Sequence, residues 1–244
     1  MLRVWGGQFP PECTGQFRPE WVVSLRRNVV VKFNRISNLL TAFEKFAYGQ
    51  SLHTAFTELL DWTLLPFKKY ESAELQTQAL ETYQNHPKVT QLVSLLSIIG
   101  DLSEGFEDPL GELYMQAISN GHNGQYFTPT PLCDMMAAMN IGDSSRPGQT
   151  VCDPACGSSR MLLAAAKINR HMCFYGADID ITCCKMSLVN MMLNSLTGEI
   201  AYMNTLSNGF YTGYKTNTVL VDGYHVPYFI EFTNAMKATS VYMI

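Results

Sequence analysis

The chain has 244 residues, of which 47% are hydrophobic and 16% are charged, a composition that fits one globular domain with an appendage and excludes a largely disordered protein. No apolar stretch reaches the ~20 residues that a bilayer span needs, and residues 1–11 lack the apolar segment of a signal peptide, so we expect a cytoplasmic protein with no membrane partner. The seven cysteines form no CxxC pair, which predicts neither a disulfide framework nor a metal site.

Charge is distributed unevenly along the chain. Residues 1–48 carry seven basic and three acidic side chains, whereas the remaining 196 residues carry ten basic and 18 acidic ones. This basic head favours a surface for nucleic acid or another anionic partner, with a solvated helix face as the alternative. The net charge of −4 excludes a protein that binds phosphate through its whole surface.

The first hundred residues have a helical pattern. Apolar residues recur at intervals of three and four from Glu20 onward, and further helices are predicted at 52–65, 72–84 and 88–102. Glycine and proline separate these segments, because glycine costs backbone entropy in a helix and proline lacks an amide donor. We therefore predict a helical N-terminal domain over residues 1–103.

Residues 104–244 instead predict helices that alternate with strands. Asp108 followed by Pro109 indicates the start of a helix over 109–119, and Thr130 opens another that reaches Asn140. Short apolar segments then predict strands at 150–152, 173–177, 200–203 and 216–221, with helices after the first two. Such βαβ units predict an α/β fold with a doubly wound sheet of parallel strands and helices on both faces.

The loop after the first predicted strand is suited to a nucleoside ligand. Ligands of open α/β sheets bind outside the carboxyl ends of the strands, and Gly157 would allow the backbone to approach one there. Asp178 follows Asp153 by 25 residues, close to the ~20-residue interval typical of a carboxylate that binds ribose hydroxyls. Because the loop lacks GxGxxG and Asp153 would repel phosphate, a nucleoside with a cationic tail, such as S-adenosylmethionine, fits better than a dinucleotide.

Two hexapeptides resemble those of a known family. Residues 153–158, Asp-Pro-Ala-Cys-Gly-Ser, closely resemble the S-adenosylmethionine motif of N6-adenine DNA methyltransferases. Residues 124–129, Gly-Gln-Tyr-Phe-Thr-Pro, resemble the segment that precedes this motif in the modification subunit of type I restriction systems. The resemblance covers residues 105–228, and it implies a Rossmann-like methyltransferase domain behind the helical one.

The resemblance also implies which residues contact S-adenosylmethionine. They comprise the segment around the methionine end, the loop after the first strand, the residues after the second strand and an asparagine after the third: Gln125, Tyr126, Phe127, Thr128, Pro129, Asp153, Ala155, Gly157, Asp178, Ile179 and Asn204. Within this set, Asp178 would bind the ribose hydroxyls and Ile179 would pack on the adenine. Asp180 is expected to cap the next helix, and a loop asparagine without a ligand is the alternative for Asn204.

The catalytic motif of the family is matched only in part. Methylation of adenine N6 needs acceptors for the amino hydrogens and an aromatic ring that holds the flipped base, which the family provides with Asn or Asp, Pro, Pro and an aromatic residue. The best match is His225-Val226-Pro227-Tyr228. Tyr228 would stack on the base, and His225 and the Val226 carbonyl would accept the hydrogens. His225 departs from the pattern, because a protonated imidazole has no acceptor nitrogen.

The resemblance implies an adenine-N6 DNA methyltransferase that transfers a methyl group from S-adenosylmethionine to DNA without a metal. DNA and a specificity subunit, or another restriction-modification protein, are the implied partners. Ser159 replaces the glycine that usually ends the cofactor loop, and only 16 residues follow Tyr228, so the chain is expected to be shortened at its C-terminal end. These departures leave a catalytically inactive S-adenosylmethionine-binding or DNA-binding protein derived from the family as the alternative.

Overall fold

The computed structural model describes residues 31–119, 126–141 and 148–239. Its first helices are α1 (Val31–Phe46), α2 (Leu52–Leu64), α3 (Ala73–Gln84) and α4 (Val89–Leu102), which confirms the predicted helices at 52–65, 72–84 and 88–102. Residues 20–30, where the first helix was predicted to begin, lie outside the described ranges. No helix of these ranges is long and apolar enough to cross a membrane.

Serine side chains fix the starts of α2 and α3. Ser51 accepts a hydrogen bond from the amide of Thr54, and Ser72 accepts one from the amide of Leu75. Each serine thus satisfies one of the amide groups that have no partner in the first turn of a helix.

Aromatic side chains join the helical region to the rest of the chain. Phe56 of α2 lies edge-on to Phe43 of α1, with ring centroids 6.0 Å apart, and lies 5.5 Å from the ring of Tyr114. The core that these residues form continues without a break to the buried side chains of the sheet. The division at residue 103 stays a prediction, because both parts share this core.

Two helices precede the sheet. Helix α5 (Pro109–Tyr114) continues into a π-helical turn over Met115–Ser119, and α6 spans Thr130–Ile141. The Asp108 carboxylate accepts a hydrogen bond of 2.8 Å from the amide of Gly111, so the N-cap predicted at Asp108 is confirmed.

The second half of the chain forms one sheet of five strands. Strand β1 (Thr150–Asp153), helix α7 (Arg160–Ile168), strand β2 (Cys173–Asp178), helix α8 (Ile181–Leu193) and strand β3 (Gly198–Asn204) are two successive βαβ units with parallel strands. Strands β4 (Gly209–Val221) and β5 (Tyr224–Phe232) complete the sheet. The predicted α/β, Rossmann-like class is therefore confirmed.

The direction of β4 differs from the prediction of parallel strands. Both β4 and β5 pair antiparallel to their neighbours, and the described strands follow one another in chain order, β1 to β5, without the reversal of a doubly wound sheet. The physical reason is the length of the connections: only residues 205–208 join β3 to β4, and Asp222 and Gly223, with φ of 49° and 85°, form a two-residue turn between β4 and β5, whereas a parallel crossover needs about a dozen residues.

The two faces of the sheet are covered differently. Phe174, Ile200 and Tyr214 belong to the main core, to which both crossover helices, α7 and α8, also contribute. On the other face, Ala177, Ala201 and Met203 form a small cluster against Phe210. In the described ranges this second cluster contains strand residues only, and no α-helix contributes to it.

Candidate functional site

Polar residues end each of the three parallel strands. Asp153 is the last residue of β1, Asp178 the last of β2 and Asn204 the last of β3. Because the carboxyl ends of parallel strands meet at one edge of a sheet, these residues define a common edge, where ligands of open α/β sheets bind.

The loop after β1 is bonded directly to the end of β2. The amide of Gly157 donates a hydrogen bond of 2.9 Å to Asp178 Oδ2, and Asp178 Oδ1 accepts one of 2.9 Å from the amide of Asp180. Asp180 in turn accepts from the amide of Thr182, which confirms its predicted role as a helix cap. A carboxylate can accept about four hydrogen bonds, so Asp178 has capacity for a further donor.

Both carboxylates at this edge are held in an environment that disfavours their charge. Burial raises the pKa of Asp153 and the pKa of Asp178 above the usual value for aspartate. The nearby charge of Asp178 raises the pKa of Asp153 further, while the Ala155 amide opposes the shift by donating to Asp153 Oδ1 at 3.1 Å. A cationic ligand would relieve this unfavourable charge.

One face of α8 supports the loop and the end of β2 from behind. Cys184 Sγ donates to the carbonyl of Asp178 at 3.5 Å, Ser187 Oγ donates to the carbonyl of Gly157 at 2.8 Å, and Asn190 Nδ2 donates to the carbonyl of Ser158 at 2.8 Å. Residues three apart lie on one side of a helix, so these contacts form a single row. This row was not predicted, although Ser187 and Asn190 are polar residues among the apolar residues in the second half of the helix.

A pocket lies between the loop after β1 and the segment that precedes α6. It is a small cavity of about 70 Å³, partly open to solvent, and so lies below the ~300 Å³ at the lower end of the range for ligand pockets. Gly157 has a φ of 53°, and a Cβ atom there would come within 2.9 Å of the Phe127 ring, so the close approach of the two segments requires glycine. The pocket is lined by Tyr126, Phe127, Thr128, Asp153, Ala155, Cys156, Gly157, Ser158, Arg160 and Met161.

Most of the residues predicted to contact a cofactor thus lie together, but some do not line the pocket. Asp178 lies behind Gly157, and Ile179 is 61% exposed beside it. Asn204 Oδ1 accepts from the amides of Leu206 and Ser207 at 3.1 and 3.2 Å, so it stabilises the turn after β3. Pro129 is exposed just before α6. Gln125 lies outside the described residues.

The structure does not bring His225-Val226-Pro227-Tyr228 to this pocket. All four residues lie within β5, not in a loop at the carboxyl edge. In the sheet, Asp178 of β2 pairs with Tyr202 of β3, and Tyr202 pairs with Thr212 of β4. Tyr228 of β5 pairs with Asn217 of β4, which lies five residues beyond Thr212.

Five residues correspond to about 17 Å along the strands, and three strand spacings add about 14 Å across the sheet. Tyr228 and Asp178 are therefore roughly 20 Å apart. The signal that could have predicted this hairpin is Asp222-Gly223 between two apolar segments.

Comparison with solved structures gives a partial likeness. The methyltransferase subunit of the type I restriction-modification system of Streptococcus thermophilus is similar over 67% of this chain, with 19% identity and a TM-score of 0.38. This chain spans 42% of the length of that subunit. No curated protein matches the chain.

A protein-family model gives a more extensive match. The model of the N-6 DNA methylases matches residues 102–237, which is more than half of the chain. The matched range contains α5 to α8, all five strands and the whole pocket. With the pocket at the carboxyl edge of β1, this match establishes that the chain belongs to the N-6 DNA methylase family.

Proposed function

We propose that this chain binds S-adenosylmethionine at the carboxyl edge of β1 and β2 and transfers its methyl group to N6 of adenine in DNA. The observation that carries the proposal is the arrangement of Asp153, Gly157 and Asp178 around one loop, beside the pocket wall of Phe127 and Thr128. Family membership is the second support.

The residues present fit the chemistry of this cofactor, which supplies a methyl group bonded to a cationic sulfur. Asp153 would accept hydrogen bonds from the ammonium group of the methionine end, with Ala155 beside it on the pocket wall. Thr128 and the neighbouring backbone at Tyr126 and Pro129 would bind the carboxylate. The open side of Asp178 would accept the ribose hydroxyls, and exposed Ile179 would cover the adenine.

A second candidate function is cofactor binding without methyl transfer, and the position of β5 favours it. Adenine N6 needs hydrogen-bond acceptors at the reacting atoms, because its lone pair is delocalised into the ring. Tyr228 lies about 20 Å from Asp178, and His225, which pairs with Leu220 three residues further along β4, lies farther still, so we do not include these two residues in the proposed site. No described residue of β4 or β5 lines the pocket.

The partners are proposed by analogy with the family. We propose that DNA is the substrate and that a specificity subunit, or another restriction-modification protein, acts together with this chain. Of the seven basic residues in 1–48 that favour a surface for nucleic acid or another anionic partner, Arg3, Arg18, Arg26 and Arg27 lie outside the described residues, so the role of this basic head stays a prediction.

Two measurements test the proposal. Calorimetric titration should detect S-adenosylmethionine binding in the wild type, strong weakening in Asp153→Asn, and no binding of NAD. Transfer of a tritiated methyl group to unmethylated DNA, with and without a specificity subunit, then separates the two candidates. Incorporation supports the methyltransferase, binding without incorporation supports the second candidate, and absence of binding contradicts both.

A further inference from the structure

A buried network of polar side chains lies next to the pocket. The Asp108 side chain is only 3% exposed, and its carboxylate accepts four hydrogen bonds. Asp108 Oδ1 accepts from the amide of Gly111 and from Asn190 Nδ2, each at 2.8 Å. Asp108 Oδ2 accepts from Ser158 Oγ at 2.5 Å and from Arg160 Nε at 2.7 Å. Asp108 therefore connects the start of α5 with the cofactor loop and α8.

Arg160 extends this network to the opposite wall of the pocket. Its Nη1 donates to the carbonyl of Thr128 at 3.4 Å, and its guanidinium carbon lies 5.7 Å from the centre of the Phe127 ring. Its Nη2 donates to Glu112 Oε1 at 2.8 Å. One guanidinium thus contacts both the segment before α6 and the helix α5, while its own helix α7 begins directly after the cofactor loop.

The charge of Arg160 is already compensated. Asp108 and Glu112 each form an ion pair with it, so two carboxylates face one guanidinium. A cation neutralised in this way is a weak counter-ion for the carboxylate of a ligand. What Arg160 provides is geometry, because the planar guanidinium holds several acceptors in fixed directions and stacks on an aromatic ring.

We propose that Arg160 is a positioning residue that sets the distance between Phe127–Thr128 and the cofactor loop, and that it thereby determines affinity for the amino-acid end of the cofactor. This inference rests on the proposed function. Asp178 and Ile179 lie on the other side of Gly157 and do not contact Arg160 in any described interaction. We therefore expect binding of the nucleoside end of the cofactor not to depend on Arg160.

The experiment compares two ligands that differ only at the amino-acid end. S-adenosylhomocysteine carries that end, whereas 5′-methylthioadenosine has the adenine, the ribose and the sulfur without it. Arg160→Lys keeps the charge, but a single ammonium cannot bond Asp108, Glu112 and Thr128 in the same directions. We expect Arg160→Lys to lower the affinity for S-adenosylhomocysteine about tenfold, which corresponds to the loss of one charged hydrogen bond. The affinity for 5′-methylthioadenosine should change less than about twofold.

Arg170→Lys is the matched control. Arg170 also donates to a carbonyl, that of Asn194 at 3.3 Å, and also lies over an aromatic ring, that of Phe106 at 5.9 Å, but it does not line the pocket. The same substitution there should leave both affinities unchanged. Glu112→Gln, at a side chain 43% exposed, weakens one anchor without touching the Asp108 pair, because the amide keeps an acceptor oxygen but loses the charge, and it should give a smaller loss with the same selectivity.

The outcomes separate this inference from the proposed function. Selective loss for S-adenosylhomocysteine in Arg160→Lys, or in Glu112→Gln where the lysine variant does not fold, supports a positioning role. Equal loss for both ligands, or no loss for either, overturns the inference but leaves the proposed function intact. If the wild type binds neither ligand, the proposed function fails and the inference fails with it.

Discussion

The loop after β1 and the hairpin of β4 and β5 each carry a sequence that resembles a family motif, but their surroundings differ. The loop is bonded to the end of β2, to a row of residues on α8 and to the buried Asp108 network. The hairpin is shaped by local turn chemistry at Asp222-Gly223, and His225 on it is exposed. A motif thus indicates a site only where distant parts of the chain hold it in place.

The largest effect is expected at the network behind the loop. Asp108→Ala leaves Arg160, of which 9% is exposed, with a buried charge that has lost its closest partner, and it should lower the free energy of unfolding by about 3 to 5 kcal/mol. Urea unfolding measures this. The control is Glu231→Ala on the hairpin, whose ion pair with Lys68 is partly exposed and contributes about 0.5 kcal/mol or less. Similar losses of stability in both variants would contradict the difference between a buried ion pair at Asp108 and a partly exposed one at Glu231.

The next effect concerns ligand affinity. Asp153→Asn removes the charge that is expected to face the ammonium group of S-adenosylmethionine, at a cost of about 2 kcal/mol or roughly 30-fold in affinity. Calorimetric titration measures it. Asp222→Asn makes the same chemical change at the exposed tip of the hairpin, where asparagine also tolerates a positive φ, and should leave the affinity unchanged. A loss caused by Asp222→Asn would place the hairpin tip near the ligand and contradict the geometry.

Opposite substitutions at two left-handed residues should have opposite effects. Ser159 has a φ of 71° and makes no side-chain cap hydrogen bond, so Ser159→Gly should raise the free energy of unfolding by up to about 1 kcal/mol. Gly223 has a φ of 85°, so Gly223→Ala should lower it by about 1 kcal/mol. Thermal unfolding checks both. If Ser159→Gly destabilises the protein, the serine side chain contributes more packing energy than its backbone strain costs.

The smallest effect is a dependence of stability on pH. Because the pKa of Asp153 is raised in the folded state, the folded protein binds more protons than the unfolded chain between the two pKa values. This stabilising contribution is fully present below the unfolded pKa of about 4 and is lost as the pH rises through the folded pKa. The unfolding free energy of the wild type, minus that of Asp153→Asn, should therefore fall as the pH rises, which urea unfolding at several pH values measures.

Local features of this chain could be predicted from its sequence more fully than non-local ones. Helix starts at Ser51, Ser72 and Asp108 follow from capping chemistry within three residues, so composition and spacing were sufficient to predict the following helices. The antiparallel direction of β4 was missed because the expected βαβ alternation was extended past β3, and the hairpin of β4 and β5 was missed although Asp222-Gly223 is a local signal for it.

For the candidate site, the cofactor loop was predicted but its support was not. Asp153, Gly157 and Asp178 have recognisable spacing, whereas Arg160 and Asn190 reach Asp108 across 52 and 82 residues of sequence. Contacts over such separations have no periodicity that a single sequence reveals. Asp180, by contrast, accepts a hydrogen bond from the amide of Thr182, two residues away, and its role as a helix cap was predicted.

The amino-acid sequence alone determined the helices, the parallel β1–β3 unit and the edge at which Asp153 and Asp178 meet, because these depend on periodicity, capping and the turn after each strand. Only the tertiary structure decided that Arg160 joins the two walls of the pocket and that Tyr228 lies on a distant strand. The physical reason is that strand register and buried ion pairs are set by packing between segments far apart in the chain, which local chemistry does not specify.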